Sequence, residues 1–161
     1  MIVLGIDIGV TGAMAAVDSR GTASIVDLPT EGIGGDRVVK RKVSATGLRD
    51  AIWHYVAPGE VAIAIIEDVH MGIGKGGAAR SSLDLNRGRI EAVLDLLRIP
   101  THVVQPRTWK RFYGMAGSDK APSLEIARTL YPLQAGMLKR VKDHNRAEAL
   151  LLAHYGQKVK A

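Results

Sequence analysis

The chain falls into blocks of apolar and polar positions that predict alternating strands and helices. Residues 2–8 (IVLGIDI) are a nearly continuous apolar run, the pattern of a strand covered on both faces. Gly9, Thr11 and Gly12 make a turn, Ala13–Val17 reads as a second strand, and Ser19-Arg20-Gly21 turns into a third over Thr22–Leu28. Residues 29–42 (PTEGIGGDRVVKRK) are Gly-rich, polar and aperiodic, which predicts a mobile loop. An amphipathic helix follows over Ser44–Val56, ended by Pro58-Gly59. Val61–Glu67 (VAIAIIE) is another apolar strand, and Ser82–Leu97 carries Leu83, Ile90, Val93, Leu94 and Leu97 on a helical stripe. Thr101–Gln105 is a short strand. Pro106 suits the first turn of a brief helix through Tyr113. Further helices are predicted over Pro122–Tyr131 and Asn145–Tyr155, with a basic loop between them. Hairpins first and crossovers later imply an α/β domain, a mixed five-stranded sheet flanked by helices, occupying residues 1–161 as a single unit.

Within this pattern the acids stand out. Asp7 sits between Ile6 and Ile8, and Glu67 closes a strand directly after Ile65-Ile66. A charged carboxylate in such surroundings is costly unless it is paired or binds a metal. Asp143 and Glu148 open the last helix. At roughly 100° per residue they lie about 140° apart, so they share a target only if Asp143 precedes the helix. Four oxygen donors suit Mg²⁺ or Mn²⁺, and a pair of such ions activates water against a phosphodiester. Each acid also has an ordinary use: Asp7 in a turn, Asp143 as an N-cap, Glu148 as an exposed helical acid. Those uses explain poorly why acids end two apolar strands.

Charge adds a partner class. The net charge is +6, but residues 1–80 hold 8 Lys/Arg against 9 Asp/Glu while residues 81–161 hold 14 against 7. No acid falls between Asp95 and Asp119, where Arg98, His102, Arg107, Lys110 and Arg111 cluster, an asymmetry that favours a polyanion. There is no cysteine, which excludes thiol chemistry and disulfides and fits a reducing compartment. The opening has no basic n-region and no stretch approaches a membrane span, so a cytoplasmic location with no membrane partner is expected. Gly72–Gly77 (GIGKGG) lacks the spacing of a phosphate-binding P-loop, because Lys75 is followed by Gly76.

Several segments in order resemble the RuvC family of Holliday junction resolvases. Gly5–Gly12 (GIDIGVTG) is similar to that family's opening GIDPG…TG, Ile66–Val69 to its second acidic strand, and Leu85–Arg89 to the start of the helix that follows. Gln105-Pro106…Lys110 with Gly117–Lys120 resembles its basic segment, and Asn145–Ala153 (NRAEALLLA) its closing DxxDALxxA. The resemblance implies a ribonuclease-H-like fold and a homodimeric, Mg²⁺-dependent endonuclease, with two ions per active site, that resolves branched DNA by paired symmetric nicks. It carries the family acids onto Asp7, Glu67 and Glu148. The remaining one falls on Asn145, so Asp143 is chosen as fourth ligand with His144 and Asn145 as alternatives. The DNA-contacting set it implies, together with the basic positions, is His70, Lys75, Arg80, Arg107, Lys110, Lys120 and Arg146, with His70 at a junction-wedging position. Trp109 fits core packing better than base stacking.

Three rivals stand beside this reading, the last of them a sister enzyme of the same fold. The opening also resembles the phosphate hairpin of sugar kinases and actin-like ATPases, which enclose ATP between two such domains. A non-catalytic module would bind branched nucleic acid without cutting it. A YqgF-like nuclease would act on RNA. Ser82–Leu97 is the candidate dimer interface, because two symmetric cuts call for a two-fold dimer and its apolar positions cover more than one face.

Overall fold

The computed structural model describes residues 1–34, 40–68, 77–115 and 121–160. The sheet is built from β1 (Ile2–Ile6), β2 (Ala13–Asp18), β3 (Ala23–Asp27), β6 (Ala62–Glu67) and β7 (Thr101–Val104), in the order β3-β2-β1-β6-β7. β1–β2 and β2–β3 pair antiparallel, whereas β1–β6 and β6–β7 pair parallel. The expected mixed five-stranded sheet is therefore present. Strands β1 and β6 are central and covered on both faces, which is why their sequences are apolar without alternation.

Side chains still alternate between two cores. Ile2, Leu4 and Ile6 of β1 join Ala64 and Ile66 of β6 under α1 (Ala45–Tyr55) and α2 (Gly77–Leu96). Val3 and Ile65 face the opposite core with α3 (Pro106–Phe112), α4 (Ala121–Leu130) and α5 (His144–Val159). Helix α5 crosses β1 at very close range. A Cβ added to Gly5 would stand 2.1 Å from the Ala149 carbonyl oxygen, and one added to Gly156 would stand 2.4 Å from an Ile65 side-chain carbon. Small residues thus set the height of α5 above the sheet, and with it the position of every side chain in its first turn.

Two stretches of the segment expected as a mobile loop form strands. Residues Thr30–Ile33 (β4) and Lys40–Val43 (β5) pair antiparallel as a separate two-stranded sheet. Its anchor is α2: the buried Asn86 accepts the Val43 N–H at 2.9 Å, and Arg89 donates to the Val43 carbonyl at 2.6 Å and to Glu31 at 2.8 Å. Helix α2 begins at Gly77, earlier than its apolar stripe predicts. The basic loop before α5 contains 3₁₀ segments at Pro132–Met137 and Val141–Asp143. Among the described residues, no helix is long and apolar enough to cross a membrane.

Candidate active site

Strand register brings the first two acids together. Ile6 lies opposite Ile66 in the parallel β1–β6 pair, so Asp7 and Glu67 are the next residues of two adjacent strands at their C-terminal ends. The Asp7 N–H continues the β1–β2 ladder, donating to the Ala13 carbonyl at 3.0 Å. The parity of Val3 and Ile65 directs Asp7 and Glu67 toward the α5 face. Gly12 closes the turn behind Asp7 so tightly that a Cβ would stand 2.0 Å from the Asp7 carbonyl oxygen.

Helix α5 supplies the third acid. Asn145 donates to the Thr11 carbonyl at 2.6 Å and to the Thr11 hydroxyl at 3.1 Å, tying the start of α5 to the turn after β1. Three residues on, Glu148 meets Glu67 across one lysine: Lys110 Nζ is 3.9 Å from Glu67 Oε1 and 3.8 Å from Glu148 Oε1. Both carboxylates are largely enclosed, with side chains 13% and 15% exposed. The Trp109 indole N–H donates to Glu67 Oε1 at 2.8 Å. Burial pushes the Glu67 carboxyl above its ordinary pKa, the Trp109 N–H and Lys110 ammonium oppose the rise, and the Glu148 charge adds to it. Two carboxylates gathered around one ammonium in a half-dry setting form a pocket for positive charge.

The neighbouring Asp68 is held differently. It accepts from Arg87 at 2.9 Å and from Gln105 at 2.5 Å, so the end of β6 is pinned to both α2 and the residue before α3.

Asp143 is placed just before α5, as a shared target with Glu148 requires, yet its carboxylate is engaged by arginines. It accepts from the Arg140 main-chain N–H at 2.8 Å and the Arg140 guanidinium at 2.8 Å, and Arg146 approaches to 3.6 Å. These contacts, Arg140 foremost, hold its carboxyl down at about 2. Arg146, expected on DNA, also pairs through two nitrogens with Asp27 at 2.6 and 2.5 Å. Asp27, Arg140, Lys142, His144, Arg146 and Thr11 line a cleft of about 450 Å³ beside the start of α5. Arg107 and Arg80 are exposed, Arg80 lying 3.9 Å from Asp84. His70, Lys75 and Lys120 lie outside the described residues.

The acids suit a divalent cation in chemistry without being gathered around a single point. The donor set is all oxygen, as hard divalent cations prefer, and an ammonium already bridges two of its members. Among the described residues, however, no three Asp, Glu or His side chains stand close enough to hold an ion between them. The structure brings Glu67 and Glu148 together through Lys110 and sets Asp7 beside Glu67 in register; it leaves Asp143 with its arginines. Sequence reasoning missed the Trp109–Glu67 bond. Its available signal was position alone, since Trp109 sits on the helix that follows β7, the strand beside β6.

A mixed sheet in this order, with acids ending its two central strands and a third on the helix laid across them, defines a ribonuclease-H-like domain. The fold is that of RuvC. The Thermus thermophilus RuvC structure superposes with a TM-score of 0.57 at 13% identity, over 98% of this chain and 96% of that one. T. thermophilus RuvC in complex with a Holliday junction substrate gives 0.58 at 11% identity, over 99% and 96%. A stretch of 48 residues is 46% identical to the chloroplastic Holliday junction resolvase MOC1 of Chlamydomonas reinhardtii. That stretch is 29% of this chain and spans 5% of the length of that curated relative. No protein-family model matches the chain.

Proposed function

We propose that this protein is a RuvC-type endonuclease that resolves branched DNA, Holliday junctions in particular, by metal-assisted phosphodiester hydrolysis. The observation that carries the reading is the meeting of Glu67 and Glu148 around Lys110, with Asp7 next to Glu67 in register, on a RuvC fold. Asp7, Glu67 and Glu148 are the residues that would hold two Mg²⁺ or Mn²⁺ ions. Asp143 enters that set only by exchanging Arg140 and Arg146 for a cation. The chemistry supplied by such bound ions is activation of a water and stabilisation of the leaving oxygen.

The chain's own contribution is positioning. Asp7 and Glu67 are carried by two adjacent parallel strands, and Glu148 by a helix fixed against the first of them at Gly5. Lys110 balances the paired carboxylates in the absence of a cation and is released toward a DNA phosphate when they are otherwise neutralised. Arg80, Arg107 and Arg111 are exposed and suited to phosphate contact. Paired symmetric nicks need a homodimer, for which α2 offers Leu85 and Leu96, 44% and 84% exposed. A cytoplasmic setting fits the cysteine-free chain.

One observation favours a second reading. Three carboxylates are not assembled among the described residues, and Lys110 stands where a cation would, as in a module that binds branched nucleic acid without cutting it. Incubation with a mobile four-way junction, linear duplex and structured RNA in Mg²⁺ or Mn²⁺ separates the readings. Paired nicks in the junction support the resolvase. Tight junction binding with no cleavage under either ion supports the module, and preferential RNA cleavage transfers the activity to RNA.

A further inference from the structure

The Trp109 indole has one polar atom, and that atom is committed to a candidate metal ligand. Trp109 is fully buried, so its N–H requires an acceptor inside the protein. The acceptor is Glu67 Oε1, at 2.8 Å. The helix that carries Trp109 is short and firmly seated: Pro106 occupies its first turn, and Tyr113 packs its ring edge-on against the indole at 6.3 Å. Tyr113 is itself fixed by donating to the Leu151 carbonyl of α5 at 2.8 Å. The next residue, Lys110, lies 5.2 Å from the Trp109 ring centre while its ammonium faces both Glu67 and Glu148. The indole is thus a rigid strut between the α3–α5 core and one carboxylate of the site.

We propose that Trp109 is a positioning residue for divalent-cation binding: its indole N–H fixes the Glu67 carboxylate so that it faces Glu148 with a cation between them. The inference rests on the reading of Glu67 as a cation ligand. A glutamate with no fixed partner samples several rotamers, and ordering it during binding weakens affinity. A hydrogen bond from a buried, rotationally locked donor removes that cost in advance. Outer contacts of this kind are worth roughly ten- to a hundredfold in metal affinity.

Two measurements test the proposal. The chain has two tryptophans, Trp109 and the exposed Trp53, so ¹⁵N-labelled protein gives two indole N–H resonances, assigned with Trp53→Phe. Titration with Mg²⁺ is expected to shift the Trp109 signal and leave that of Trp53 in place. By calorimetry, Trp109→Phe, which keeps a buried aromatic ring but deletes the donor, is expected to weaken Mn²⁺ binding by ten- to a hundredfold. Its junction affinity in chelator is expected to be unchanged. Wild-type Mn²⁺ affinity in folded Trp109→Phe, alongside loss of binding in Glu67→Gln, overturns the role of Trp109 and leaves the metal reading standing. Undiminished Mn²⁺ binding in Glu67→Gln overturns both. Should Trp109→Phe fail to fold, the unsubstituted protein decides: an indole signal unmoved at Mg²⁺ saturation overturns the proposal.

Discussion

Asp143 spends its carboxylate on Arg140 and Arg146, and the consequence is a defined dependence of stability on acid. Its folded pKa of about 2 lies below the ordinary carboxylate value of 3.8. The depressed value means that the ionised form is the one stabilised, fully above pH ~4 and progressively lost as pH falls toward 2. Asp143→Asn is therefore expected to lower unfolding free energy at neutral pH, with the difference shrinking between pH 4 and pH 2. Urea denaturation across that range checks it. The same variant bears on the site: retained Mn²⁺ affinity makes Asp143 an arginine partner alone, whereas lost affinity makes it the fourth ligand. None of this was legible in the sequence, where Asp143 before a helix start suits a cap and a ligand equally. Its true partners depend on Arg140 turning back through a 3₁₀ segment and on Asp27 arriving from β3.

Elements that are buried on both faces announce themselves, and elements held by single polar contacts do not. Strands β1 and β6 were readable because both cores press on them, which excludes polar residues until the strand ends at Asp7 and Glu67. The β4–β5 hairpin was not readable. Its sequences TEGI and KRKV carry no apolar alternation, and its order comes from Asn86 and Arg89, more than forty residues away on α2. Replacing Asn86 with Ala strands the Val43 N–H and is expected to cost about 1–3 kcal/mol, measured by chemical denaturation. Proteolysis within residues 30–43 should also accelerate. The seating of α5 makes a sharper demand. Gly5→Ala drives a methyl into the Ala149 carbonyl and the Ala153 backbone, so the helix must lift and carry Glu148 with it. Such overpacking typically costs 1–3 kcal/mol or more. A folded Gly5→Ala protein is expected to lose Mn²⁺ affinity along with stability, which a purely structural glycine would not do.

At the scale of the whole molecule, part of the charge asymmetry read from sequence is spent on ion pairs within the chain. Arg87, Arg89, Arg140 and Arg146 all lie in the basic half, yet each is paired with an acid inside the protein. Arg107 is exposed on α3, the helix that carries Lys110. Arg107→Ala is expected to weaken junction binding evenly across sequences and to reduce the slope of log affinity against log salt by about 1. Arg146→Ala should instead reduce stability, because it leaves Asp27 and part of Asp143 unpaired. Filter binding across a salt series distinguishes these outcomes. The architecture, by contrast, was visible from the start: hairpins followed by crossovers, with acids ending two apolar strands, fit few arrangements besides this sheet.

All of these expectations converge on whether the carboxylates hold a cation. Crystals soaked in Mn²⁺, with anomalous scattering recorded at the manganese edge, answer that directly. A peak between Glu67 and Glu148, with Asp7 as a further ligand and the Lys110 ammonium displaced, is the predicted result. Saturating Mn²⁺ with no peak there, and Lys110 still bridging the two glutamates, would contradict the account at its centre.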